Sequence, residues 1–236
     1  MTPVAIAAAL RILFIGNSLT VANGLPDLVA ALARASGGPA VEHRTVAFPD
    51  FSLEDHWAKG EAAKAIAEGG WTFVVLQQGP SALPESRVLL HEYTARFDRE
   101  ARKVGAKTAL YMVWPSSLRK SDFEGVKMSY EGAAQSVGGV FLPAGEAWRA
   151  AWRRDATLPF YGDDGFHPTP LGSCLAAIVI YAQLAGRSPA DLVLPASFGL
   201  SADRAALLKA AAAEAIGRNR SAKAFALLRR GAHALP

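Results

Sequence analysis

One cysteine, three methionines and five histidines in 236 residues leave little soft-ligand or redox chemistry. The lone Cys174 excludes an internal disulfide, and its apolar surroundings make it a small buried hydrophobe rather than a nucleophile. His43, His91 and His233 are scattered without ligand-like spacing, so no metal site is expected. No G-x-G-x-x-G or Walker-type loop occurs, and no cofactor is expected. No stretch is long and apolar enough to span a bilayer. Residues 1–10 are apolar but short and carry no basic residue, which fits either the remnant of an export signal or an extra N-terminal segment. Cytoplasmic and exported (periplasmic) locations therefore both stay open. Charge of one sign is also scarce: 25 Lys and Arg stand against 21 Asp and Glu, for a net charge of +4. That balance reads as solubility and not as a nucleic-acid footprint. There is no internal repeat and no low-complexity linker, and nothing fixes the oligomeric state.

What is present is a folded-protein composition, 51% hydrophobic and 19% charged. Four consecutive apolar residues, Ile12, Leu13, Phe14 and Ile15, predict a strand buried on both faces. Further strands are expected at 41–48, 71–76, 107–114 and 139–143. Helical patterns lie between them, from Leu25 to the Gly37-Gly38 stop, then at 53–68 with Ser52 as N-cap, 85–104, 123–137 and 144–153. Thr169 and Pro170 open another helix to about Leu184. An alanine-rich helix is expected from Ser201 to about Ile216, then a separate basic helix at 222–230. Strands alternating with helices predict an α/β fold with a parallel sheet and right-handed crossovers. The expected organisation is one domain over 11–217, an apolar segment at 1–10 and a basic helix or tail at 218–236.

Such a sheet presents its site at the carboxyl ends of its strands, so the residues just after each strand are the ones to collect. Ser18 follows the first strand in Gly16-Asn17-Ser18-Leu19, where a sharp turn exposes both its Oγ and its N–H. Taken alone, Asn17 or Ser18 is equally a helix cap. Residues 49–52 follow the second strand, and Gln77-Gln78-Gly79-Pro80-Ser81 the third. Asp164 and His167, three apart, sit on a constrained loop leading into a helix, close enough for one side chain to hold the other. Trp114 could line an acyl or sugar pocket or simply pack, and Phe160 and Tyr161 could form a pocket wall. His56 reads as a surface or packing histidine, with a substrate contact as the other reading.

Taken together, Gly16-Asn17-Ser18-Leu19 and Asp164-Gly165-Phe166-His167 resemble the first and last sequence blocks of the SGNH hydrolases, or GDSL-type esterases and lipases. The resemblance runs from residue 11 to about 185. It implies a three-layer α/β/α sandwich around a flavodoxin-like parallel five-stranded sheet. It further implies Ser18 as nucleophile, His167 as general base and Asp164 as the residue orienting it. The family's oxyanion hole gathers the nucleophile's N–H, a glycine N–H from the second block and an asparagine amide from the third. Here Asp50 stands where the glycine is expected, and its N–H could donate with the carboxylate turned away. Gln78 stands in for the asparagine, with Ser81 as the alternative. The Q-G-x-S sequence is similar to the third block of some carbohydrate acetylesterases. The function implied is hydrolysis of carboxylic esters through an acyl-enzyme, with a short acyl group, acetyl on a carbohydrate, as the first expectation. Trp114, Tyr161 and Ser81 would contact a small-molecule or carbohydrate ester. The alternative is a catalytically degenerate relative that binds a carbohydrate or other small ligand.

Overall fold

The computed structural model describes residues 8–232, with side chains to residue 218. Residues 1–7 and 233–236, and with them most of the N-terminal segment and the end of the tail, lie outside the described residues. Five strands form one sheet: β1 (Leu10–Gly16), β2 (Val41–Ala47), β3 (Phe73–Leu76), β4 (Lys107–Tyr111) and β5 (Val140–Leu142). All pairings are parallel, in the order β2-β1-β3-β4-β5. The order reverses between β1 and β3, which opens a crevice beyond their carboxyl ends. Ile12 to Ile15 are fully buried, as a central strand covered on both faces requires.

The helices are α1 (Ser18–Val21), α2 (Leu25–Ala35), α3 (Leu53–Lys59), α4 (Glu61–Ala67), α5 (Pro84–Lys103), α6 (Phe123–Ser136), α7 (Ala144–Trp152), α8 (Pro170–Leu184) and α9 (Ala202–Ala232). α2, α7, α8 and α9 pack in one layer and α3 to α6 in the other, giving the expected three-layer α/β/α sandwich. From Gly172 to Ala182, α8 is buried on every side, because sheet and helices surround it. None of the described helices is long and apolar enough to cross a membrane.

Three boundaries differ from expectation. The helix expected over 53–68 is two, because Gly60 takes φ 79° and breaks it. Ser52 nevertheless caps α3 through a reciprocal capping box with Asp55. β4 ends at Tyr111 and not at Trp114, since its partner β5 is only three residues long. α9 runs unbroken to Ala232 where two helices were expected, and Gly217 is carried in its interior. A lone helical glycine costs only about 1 kcal/mol.

Candidate active site

Ser18 begins α1 directly after β1, with Asn17 as N-cap. The turn is held from β3. Gln77, fully buried, accepts from the Asn17 N–H at 2.9 Å and from Thr20 Oγ1 at 2.6 Å, and donates to Asn17 Oδ1 at 2.9 Å. A side chain at Gly16 would have no room, because its Cβ would lie 2.2 Å from Thr20 Oγ1 and 2.4 Å from Gln77 Oε1. His56 supports the same turn from α3. It is fully buried and donates from Nε2 to the Gly16 carbonyl at 2.7 Å, while its Nδ1 has no partner among the described residues. Burial holds its pKa below the ordinary histidine value. This is a packing histidine, but an interior one.

The loop after residue 158 brings Asp164 and His167 to Ser18. Asp164 Oδ1 accepts from the Phe166 and His167 N–H groups, each at 2.9 Å, and its Oδ2 lies 2.5 Å from His167 Nδ1. The His167 contact, then these backbone bonds, bring the Asp164 pKa down to about 2. An ionised carboxylate only accepts, so Nδ1 carries the proton and Nε2 is left to accept from Ser18 Oγ at 2.9 Å. Asp163 makes none of these contacts.

The loop is anchored from three sides. Trp114 is fully buried and stacks on Trp148 at 3.5 Å between ring centroids, donating from its indole to the Phe166 carbonyl at 3.0 Å. Tyr161 donates to the Pro115 carbonyl at 2.8 Å, and Ser117 N–H to the Gly165 carbonyl at 2.8 Å. Trp114 thus supports the histidine loop from behind rather than lining a pocket, because a ring stacked and hydrogen-bonded in the interior has no face left for a ligand, while Tyr161, half-buried, braces the same loop through Pro115. Asn23 ties the two halves together by donating to the Pro168 carbonyl at 2.8 Å and Ser173 Oγ at 2.9 Å.

A cleft of about 500 Å³ opens beside Ser18, bordered by residues following β1 to β4 and by Phe166. Asp50 and Ser81 both border it. The non-glycine residues with positive φ among those described are Asn23 (53°), Asp50 (60°) and Ser81 (58°), and all three flank this site. Asp50 thus adopts a conformation glycine takes readily and Asp tolerates, at the position where a glycine was expected. It is exposed, and among the described residues neither its N–H nor that of Ser18 has an acceptor. Gln78 departs from expectation. Its amide nitrogen donates to Ser81 Oγ at 2.8 Å and the Ser86 carbonyl at 3.3 Å, and its oxygen accepts from the Leu53 N–H at 3.0 Å. Both amide hydrogens are engaged within the fold, so the group expected to donate to an oxyanion braces the cleft wall. Ser81 Oγ is likewise turned to the Gly79 carbonyl at 3.0 Å.

No protein-family model and no curated protein matches the chain. Solved structures do. A Slackia heliotrinireducens protein provisionally assigned to the SGNH hydrolases is 28% identical, with a TM-score of 0.63, over 75% of this chain and 99% of that one. A Bacteroides uniformis protein of the DUF4886 family is 19% identical with a TM-score of 0.70, over 88% and 95% of the two chains. A variant of Axe2, a Geobacillus acetyl-xylooligosaccharide esterase, is 17% identical with a TM-score of 0.58, over 76% and 95%. With the flavodoxin-like strand order and both sequence blocks at the switch point of the sheet, the chain has the fold of the SGNH hydrolases and is similar to them.

Proposed function

We propose that the protein hydrolyses carboxylic esters through an acyl-enzyme on Ser18. The observation that carries this reading is the unbroken chain from Asp164 Oδ2 through His167 to Ser18 Oγ, at 2.5 and 2.9 Å. In the first step Ser18 Oγ adds to the ester carbonyl and its proton passes to His167 Nε2. The Asp164 carboxylate stabilises the imidazolium that forms. The N–H groups of Ser18 and Asp50 receive the developing oxyanion. The C–O bond to the alcohol then breaks, and Nε2 hands that oxygen its proton. Water, deprotonated by the same nitrogen, repeats the attack and releases the acid.

An acetyl group on a carbohydrate remains one candidate substrate. Its support is the Q-G-x-S resemblance and a fold shared with an acetyl-xylooligosaccharide esterase. Binding without turnover is the second reading, favoured by the engaged amide of Gln78. Fluorophosphonate labelling with location of the adduct separates the two. An adduct on Ser18, absent in Ser18→Ala, is the expected result. A folded wild type that neither labels nor hydrolyses p-nitrophenyl acetate would overturn the hydrolase reading.

A further inference from the structure

We infer that the cleft beside Ser18 seats the acyl chain of the ester, and that it favours linear acyl groups of medium length over acetyl. The inference rests on the ester-hydrolase reading. In that reaction the leaving alcohol must sit at His167 Nε2, which returns its proton. The acyl portion then extends away from His167. The cleft opens on that side: Ser18 and Asp50, which carry the proposed oxyanion donors, border it, and of the histidine loop only Phe166 does.

Its walls fit a hydrocarbon. Phe51, Pro80, Leu83, Leu89, Pro115 and Phe166 border it, and no Trp or Tyr does, so it lacks the amphipathic rings on which a sugar face commonly stacks. The one arginine in the wall, Arg119, is paired with Asp122 at 2.5 Å. With Asp50 also at the border, two carboxylates stand against that single cation, which disfavours an anionic chain. The apolar wall reaches the surface at Leu83, which is 49% exposed. At about 500 Å³ the cleft is in the range of pockets that enclose whole ligands and far exceeds the needs of an acetyl group.

The test is kcat/KM for p-nitrophenyl acetate, butyrate, hexanoate and octanoate, below their aggregation limits, with wild type and Leu83→Asp. Leu83 is the N-cap of α5, a position that accepts Asp, so the variant should fold, and a melting curve checks this. Each further methylene seated on the wall is worth up to about fourfold. We expect octanoate to exceed acetate at least about tenfold, and the octanoate-to-acetate ratio to fall about tenfold in Leu83→Asp. A wild type that prefers acetate or shows no preference overturns the inference while leaving ester hydrolysis standing. A preference that Leu83→Asp does not alter overturns the assignment to this wall. Failure to hydrolyse any of the four esters overturns the inference, and with no fluorophosphonate adduct on Ser18 it removes the hydrolase reading as well.

Discussion

Asn23 Nδ2 lies 2.8 Å from the Pro168 carbonyl, a bond between residues 145 apart in sequence that joins the Ser18 turn to the His167 loop. Asn23 sits at φ 53°, so the replacement that keeps its backbone is glycine. Asn23→Gly should leave the fold intact and let the Ser18–His167 separation vary. The expected result is a fall in kcat of about tenfold with KM little changed, because a small misplacement of reacting groups is costly. Unchanged kcat in steady-state assays would show that the loop holds its place without this tie.

Asp164→Asn should lower kcat by on the order of 10³-fold or more. An amide can present its N–H to Nδ1 and select the wrong tautomer. Fluorophosphonate labelling rates check this without a known substrate. Circular dichroism should be unchanged, since the carboxyl group is half exposed.

Asp50→Asn keeps the N–H and the tolerance for positive φ but removes a negative charge near the developing oxyanion. The expected outcome is a two- to fivefold rise in kcat at low salt, roughly what screened Coulomb interactions at a surface supply, shrinking as salt is added. A fall in kcat would mean that the carboxylate takes part in binding.

Gly16→Ala should destabilise the protein by about 1–3 kcal/mol, the range for overpacking a filled interior. The added methyl meets Thr20 Oγ1 and Gln77 Oε1, both already hydrogen-bonded. Denaturant melts measure the loss, and relief in the double variant with Thr20→Ala would identify the clash.

His56 predicts acid sensitivity of the fold. Its folded pKa lies below the unfolded value of about 6.5, so the unfolded chain takes up the proton first. Its contribution is therefore complete above that pH and is lost as pH falls toward the folded pKa. The hydrogen bond to the Gly16 carbonyl, then Asp55 and Glu61, pull the other way, and desolvation outweighs them. Melting temperature measured from pH 7.5 to 5 should fall, and the fall should be smaller in His56→Gln.

The strand pattern was legible because buried parallel strands are apolar runs bounded by turn residues, and Thr169-Pro170 marked the start of α8 because cap chemistry is local. Ser18, Asp164 and His167 stood out by position at a strand end and on a loop before a helix, and the roles expected of them came from the resemblance of their two sequence blocks to those of the SGNH hydrolases. What sequence could not carry was tertiary. Asn23 looks like any loop asparagine until Pro168 arrives beside it. Trp114 has the composition of a ligand platform, and only Trp148, from a helix 34 residues on, shows that its face is taken. Gln78 has the chemistry of a donor, and Ser81 and Ser86 decide where it points. Gly60 lies inside the helix expected over 53–68, and its left-handed backbone becomes visible only in three dimensions.

Gly165 is packed so closely on Ser117 that a Cβ there would come 2.4 Å from the hydroxyl, and the Ser117 N–H also holds the Gly165 carbonyl. The segment that follows, Ser117–Asp122, supplies Arg119 and Asp122 to the cleft. Cleft wall and histidine loop are thus riveted at one point. Swapping this segment with that of an SGNH hydrolase, as an engineer would to retune selectivity, would shift the imidazole as well. A graft would have to travel with its own histidine loop, so that selectivity and turnover are inherited together.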